Sequence, residues 1–334
     1  MKDKKVLFMV AIVLVTLFAS TGCQPAAPTA APATEAPTAA PVKELKGLTV
    51  GFIQTGTEGA WRAANTADFK ETATARGINL KFYDAQNKLE NQISAFSGFI
   101  ADKVDVIILS PLETKGFDAV LQAAKDAKIP VVLQDRRLDT SEDMYAFLIG
   151  SDMVEEGRKA GKEMCKLLEG STNKNVVEIQ GNVGSSPQID RGKGFREGIA
   201  DCGITITQSQ TGNWSTTEAK AVMEAWLKQS TDIQGVFAQN DEEGLGAIQA
   251  IEEAGLKPGV DIKVISVDAT KGGFQAMIDG KLNVVVECNP LLANQIFDML
   301  DKYLKGEQVP KYTPSQEGVF YPDNAAEVLP TRKY

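Results

Sequence analysis

Asp135, Arg136 and Arg137 follow one residue after the apolar run Val131–Leu133 in the stretch PVVLQDRR (130–137). Three apolar residues in succession suit a strand buried on both faces of a parallel sheet. Ligands of open α/β sheets bind at the carboxyl ends of such strands. A carboxylate beside a guanidinium at that place accepts from one hydroxyl and donates to the next, which is chemistry for a hydroxyl-rich ligand. Taken alone, the tripeptide reads as a turn closed by a surface ion pair. Adjacent residues of an extended exit point opposite ways, so Arg137 is expected to face solvent or support the turn.

Other apolar runs end in the same way. Val50–Ile53 leads into Gln54, Thr55, Glu58, Trp61 and Arg62, and Ile107–Leu109 into Ser110. Val177–Ile179 is followed by Gly181, Gly184, Ser185 and then Asp190 and Arg191, and a later run by Asn213 and Trp214. Val236–Ala238 ends in Asn240 and Asp241, Ile265–Val267 in Asp268, and Val286 in Glu287. Carboxylates, carboxamides and guanidinium groups supply partners for hydroxyls, and an indole face suits the C–H side of a sugar ring. Each residue has a plainer reading. Trp61 suits a core, and acids at Asp241, Glu242 and Glu243 suit a helix N-terminus. The recurrence at successive strand exits favours a shared site.

The elements that position these residues alternate along the body. Runs at 48–53, 80–83, 104–109, 130–133 and 145–149 read as strands, and 60–76, 92–101 and 117–127 as helices between them. After Gly150-Ser151-Asp152 the alternation restarts, with helices at 154–168, 189–200, 218–228, 243–254, 273–278 and 291–304. Strands fall at 176–179, 204–208, 235–238, 263–267 and 284–287. The fold class is therefore α/β, with two doubly wound parallel-sheet, Rossmann-like domains and a ligand cleft between them.

Composition removes several function classes. The 334 residues carry a formal net charge of -9 and no histidine. A histidine-based catalytic triad or a histidine-ligated metal site is excluded, and no basic stripe is available for nucleic acid. No metal and no cofactor is expected. Gly181 and Gly184 form only G-x-x-G, short of a dinucleotide fingerprint, and no phosphate loop is present. Acids interleaved with arginines disfavour the raised general acid of a glycosidase, so the chain is not expected to be an enzyme. Four cysteines occur, at 23, 165, 202 and 288, without a C-x-x-C pair. Cys165 and Cys202 could pair in an oxidising compartment. The reading taken is that the three body cysteines are free, mostly buried thiols.

Lys2, Lys4 and Lys5 precede an apolar run, Val6–Phe18, that is short for a membrane span. This is a signal-peptide pattern over 1–22. Ser20-Thr21-Gly22-Cys23 resembles a bacterial lipobox, with Ser20 where an aliphatic residue is usual, and implies lipidation at Cys23. Residues 24–41 are almost wholly Pro, Ala, Thr and Glu, an extended linker rather than a packed element. The expectation is an exported chain, lipid-anchored in the cell envelope on its periplasmic or extracellular face.

The blocks VGFIQTGTEGAWRAAN (50–65), IPVVLQDR (129–136), EIQGNVGSSPQIDRGKGF (178–195), QNDEEGLGAIQAIEEAGLKPG (239–259) and VISVDA (264–269) keep a recognisable order and spacing. Over 46–334 the body resembles the periplasmic-binding-protein type I family, in its ribose- and galactose-binding branch. The E-x-x-W-R block at Glu58, Trp61 and Arg62 and the D-R-x-x-G-F at Asp190–Phe195 resemble the galactofuranose-binding proteins of bacterial ABC importers. That resemblance implies sugar contacts at Gln54, Glu58, Trp61, Arg62, Asp135, Arg136, Arg191, Trp214, Asn240, Asp268 and Glu287. Glu287 stands where ribose binders usually carry glutamine. It implies a three-segment hinge near Ser151-Asp152, Glu287–Pro290 and Glu317–Phe320. The lobes would then be 46–151 plus 289–318 and 152–288 plus 319–334. The implied function is that of a monomeric solute-binding lipoprotein, delivering a monosaccharide to an ABC permease in the membrane. A receptor feeding a chemoreceptor or sensor kinase would have the same fold and site. A repressor of related fold would need an N-terminal helix-turn-helix, where this chain has its leader and linker.

Overall fold

The computed structural model describes residues 44–334 apart from Glu58 and Thr231. The leader, Cys23, the linker through residue 43 and Glu58 lie outside the described residues.

The first sheet is built from β1 (Thr49–Gln54), β2 (Asn79–Asp84), β3 (Val106–Leu109), β4 (Val131–Gln134) and β5 (Phe147–Gly150). Between them run α1 (Ala60–Ala75), α2 (Leu89–Ala101) and α3 (Asp118–Asp126). The second sheet takes β6 (Asn175–Gln180), β7 (Thr205–Thr211), β8 (Gly235–Ala238), β9 (Lys263–Asp268) and β10 (Val284–Glu287). Its helices are α4 (Met153–Leu167), α5 (Ser186–Gly198), α6 (Thr216–Gln229), α7 (Asp241–Glu253) and α8 (Lys271–Ile278). The chain closes with α9 (Ala293–Leu304), β11 (Tyr312–Pro314), β12 (Val319–Phe320) and α10 (Pro322–Val328). The final two strands and α10 were not read from sequence. They are short: β11 and α10 carry a proline, and β12 has only two residues.

The two sheets have the same winding, β11-β5-β4-β3-β1-β2 and β12-β10-β9-β8-β6-β7. All pairings are parallel except β10 with β12. The inner strands β3, β4, β5 and β8 are buried at every residue, as helices on both faces require. The edge strand β2 alternates instead, with Asn79, Lys81 and Tyr83 exposed and the residues between them half-buried. Aromatic residues fill both cores: Phe52, Phe69 and Phe297 in the first lobe, and Phe195 stacked on Phe237 at 4.2 Å in the second.

Three crossings join the lobes. They leave β5 for α4, β10 for α9 and β11 for β12. One carboxyl gathers all three: Glu317 Oε1 accepts from Ser151 Oγ, from the Asn289 N–H at 3.0 Å and from Ser315 Oγ at 2.6 Å.

Glycine governs one contact that the site depends on. Helices α4 and α5 lie so close that a Cβ on Gly157 would sit 2.1 Å from the Arg191 carbonyl oxygen. One on Gly194 would meet the Val154 carbonyl oxygen at 1.9 Å. Only glycine allows this approach, and it brings Arg191 of α5 against Glu156 of α4.

Cysteine pairing departs from expectation. Cys165 and Cys202 form a disulfide, and Cys288 alone is free and buried among the described cysteines. Cys165 lies in the last turn of α4, and Cys202 follows α5. The glycine-packed helix pair holds their Cα atoms 5.8 Å apart, within bridging distance.

Candidate functional site

A cavity lies between the carboxyl ends of the two sheets. The first lobe lines it with Thr55, Gly59, Trp61, Arg62, Asn87, Asp135 and Arg136. The second contributes Pro187, Arg191, Trp214, Asn240, Glu242 and Asp268, and Cys288 comes from the second crossing.

On the first-lobe wall, Asp135 leaves β4 with φ 65, a left-handed conformation uncommon outside glycine. Its Oδ2 accepts from Arg62 Nη1 at 2.9 Å and Ser110 Oγ at 3.3 Å, and lies 3.5 Å from Arg136 Nε. Its Oδ1 receives none of these bonds. Arg136 is buried, and its Nε has no hydrogen-bond partner among the described residues. Burial first, then the charge of Arg62, pushes Arg136 below its ordinary range to about 9, with Asp135 opposing. Trp61 anchors the wall to the crossing by donating from Nε1 to the Cys288 carbonyl at 2.7 Å. The Arg62 guanidinium sits 4.4 Å over its ring.

On the second-lobe wall, Arg191 donates from Nε to Glu156 Oε2 and from Nη1 to the Gln239 carbonyl, both at 2.7 Å. Its Nη2 lies 3.5 Å from Asp268 Oδ1. Asp268 is strained at φ 120 and buried, and burial raises its carboxyl pKa well above the usual range against the pull of Arg191. Trp214, at φ 60, has Arg136 and Arg191 at 5.9 and 5.8 Å from its ring centroid. Its backbone N–H donates to Glu243 Oε1 at 3.0 Å, while its indole N–H is buried without a hydrogen-bond partner among the described residues. Burial pushes the Glu243 carboxyl up to about 8. Gly181 makes room for the ring, since a Cβ there would lie 1.8 Å from it. Asn240 caps α7 through its side-chain oxygen, which accepts from Glu243 N at 2.8 Å. Its amide nitrogen takes no part in that cap.

Three candidate ligands (Asp135, Trp214 and Asp268) thus occupy left-handed backbone positions. Strain of this kind persists where surrounding structure over-determines it and clusters at binding sites. The arrangement offers fixed cationic donors, carboxylate acceptors and an indole face within one cavity. It can hold a small polyol by charge-assisted hydrogen bonds.

Of the residues expected from sequence, Trp61, Arg62, Asp135, Arg136, Arg191, Trp214, Asn240 and Asp268 are brought together here. Glu58 lies outside the described residues. Two do not reach the cavity. Gln54 is fully buried beneath it, its side chain paired with Asn65 at 2.8 Å and Arg62 at 3.1 Å, so it holds Arg62 rather than a ligand. Glu287 faces away and accepts from Arg332 Nη1 at 2.7 Å, Tyr334 Oη at 3.2 Å and the Gly318 N–H at 3.0 Å. In both cases the strand's last side chain is taken up by neighbouring protein groups, and the residue after it, Thr55 or Cys288, lines the cavity. Asn87, Glu242 and Glu156 went unread as site residues. Glu242 and Asn87 follow no apolar run directly, and Glu156 supports Arg191 from within a helix. Arg137 also departs from expectation: it crosses to Asp190 of the other lobe.

The chain is similar to known proteins over most of its length. Residues 50–308 match the family described as periplasmic binding protein domain. The galactofuranose-binding protein of Escherichia coli is 44% identical over 86% of this chain and 92% of its own length. A crystal structure from Mycobacterium smegmatis in complex with β-D-fucofuranose is 48% identical, covers 86% of this chain and 95% of that one, and superposes with a TM-score of 0.84. The binding-protein component of the arabinose ABC transporter from Shewanella sp. ANA-3, bound to α- and β-L-arabinofuranose, is 43% identical. It covers 85% of this chain and 95% of that one, with a TM-score of 0.82.

Proposed function

The chain belongs to the periplasmic binding protein family, and from that premise we propose that it captures a furanose sugar for an ABC importer. The family binds solutes and the chain is not an enzyme. The observation that carries the ligand class is the cavity wall itself. Arg62, Asp135 and Arg136 face Arg191, Asp268 and Trp214 across one cavity. Hydroxyls take the charged groups, and the C–H face of the ring takes Trp214. Two aldofuranose complexes and a galactofuranose binder among the similar proteins support a five-membered ring over a pyranose.

Both lobes contribute contacts, so sugar favours the closed arrangement over one with the lobes apart. The lobes are taken as 46–151 plus 289–318 and 152–288 plus 319–334, with the three crossings as hinge. The lipobox-like Ser20–Cys23 supports lipidation at Cys23 of an exported, monomeric protein, with the permease as membrane partner.

A thermal-shift screen of the 43–334 fragment tests the ligand, because a ligand that binds only the folded state raises Tm. L-arabinose and D-galactose, whose solutions contain furanose forms, are expected to raise it. Methyl pyranosides, locked in the six-membered ring, are not. A panel in which only pyranosides stabilise the protein, or no sugar does, overturns the reading.

A further inference from the structure

Arg137 is not among the residues that line the cavity, yet it makes the most directional contact between the lobes. From the turn after β4 it reaches α5, where Nε and Nη2 meet the two carboxylate oxygens of Asp190 at 2.8 Å each. Its backbone N–H donates to Ser186 Oγ at 3.2 Å, and beside it the Thr114 N–H donates to the Gly184 carbonyl at 3.0 Å. The remaining guanidinium edge is held within its own lobe, where Nη1 donates to Asp139. Asp139 is itself tied by its N–H to the Thr114 carbonyl at 2.8 Å. The fork is therefore oriented before its second partner arrives.

A bidentate arginine–carboxylate pair fixes the relative orientation of its two carriers as well as their distance. Here the carriers are the chain segments that present Arg136 and Arg191 to the cavity. The pairs lining the walls, Arg62 with Asp135 and Arg191 with Glu156, lie within single lobes and survive separation of the lobes. The Arg137–Asp190 fork does not. Its free energy belongs to the closed state alone, and that is the condition for shifting an opening equilibrium. The side chains are 36% and 14% exposed, so the pair is partly withdrawn from water but still within reach of salt.

We propose that Arg137 and Asp190 form a closing clasp, a positioning pair outside the cavity that sets how long the lobes stay shut on a bound sugar. The proposal rests on the sugar-binding reading above. It places the effect in dissociation, because the open form that meets the sugar has no fork to lose.

Stopped-flow tryptophan fluorescence of the full chain with L-arabinose tests it on R137Q, D190N, R137K and the R137Q/D190N double variant. Each glutamine or asparagine variant is expected to release sugar about tenfold faster with association within about twofold, the size of a lost charge-assisted fork. R137K, which keeps the charge but not the fork, falls between. The double variant loses no more than either single one, and 1 M NaCl narrows the gap. Unchanged release rates, additive losses or a slowed association overturn the clasp. Interlobe distances from spin labels, with and without sugar, read closure independently of the ligand. A closed population no larger in the wild type than in R137Q overturns the clasp. A larger one in a protein that answers to no sugar overturns only the ligand reading.

Discussion

Asp135 and Arg136 are the residues on which the ligand reading is most exposed to test. Hydrogen bonds to charged groups contribute about 1.5–3 kcal/mol net, and removing one partner leaves the other buried and unpaired. Asp135→Ala or Arg136→Ala should therefore weaken sugar binding at least about tenfold, by calorimetry, with an unchanged circular dichroism spectrum. Glu287→Gln makes the opposite claim. Its carboxylate serves Arg332, Tyr334 and Gly318, and the Arg332 guanidinium lies over the rings of Phe274, Phe320 and Tyr334. The variant should lower Tm while leaving affinity within about twofold; a tenfold loss of affinity would return Glu287 to the cavity. The contrast marks what strand exits reveal. Residue types announce that chemistry sits at the sheet ends. Which side chain at each exit faces the ligand depends on where the strand stops and how the backbone then turns: Asp135, at φ 65, and Arg136 both line the cavity, whereas Gln54 and Glu287 yield to Thr55 and Cys288.

At the scale of elements, the three crossings form a unit with a titratable centre. Around Glu317 stand Glu156 and Lys159 of α4, Cys288 of the second crossing, Tyr312 of β11 and, behind Glu156, Arg191 of α5. One ligating atom each from Glu156, Cys288 and Glu317 lies within 4.8 Å of the others. Lys159 Nζ donates to the Glu317 carbonyl at 3.2 Å, and Glu156 Oε1 has no hydrogen-bond partner among the described residues. Burial, then the charge of Glu156, raises the Glu317 carboxyl from 4.5 to about 8. Between those values the folded chain holds a proton that the unfolded chain has released. This contribution to stability is full below pH 4.5 and is lost as pH rises through 8. Thermal unfolding should show Tm falling across that window. Glu317→Gln should flatten the fall by up to about 1.4 kcal/mol per pH unit, and an unaltered profile would exclude Glu317 as its source. None of this was visible in the sequence beyond the place of the crossings. The helices and inner strands were, because their apolar runs carry their own period. The hinge is made of single polar residues from distant segments, and only folding brings Ser151, Asn289 and Glu317 to one carboxyl.

Across the molecule the two lobes share a winding, but among the described residues no disulfide joins them. The Cys165–Cys202 disulfide lies in the second lobe alone, closing a loop with a sequence separation of 37. Spacing along the chain says nothing of such a pairing, which depends on how closely Gly157, Gly161, Gly194 and Gly198 let α4 and α5 approach. The bridge sits where the two helices end, whereas Arg191, Asp190 and Glu156 act nearer their beginnings. From Arg191 to Cys202 the chain rises about 1.5 Å per helical residue, which puts the bridge well away from the cavity. Its stabilisation acts on the unfolded chain: closing a loop of this length is worth about 4 kcal/mol in the chain-entropy account. A C165S/C202S variant should consequently unfold at clearly lower temperature and lower denaturant concentration. Its affinity for L-arabinose and its release rate should match the wild type, since neither the cavity wall nor the Arg137–Asp190 contact rests on the bridge. A variant that keeps its Tm would show that the helix packing needs no brace. One that loses affinity while remaining folded would show that the position of α5, and with it Arg191, depends on the bridge rather than on the glycine contact.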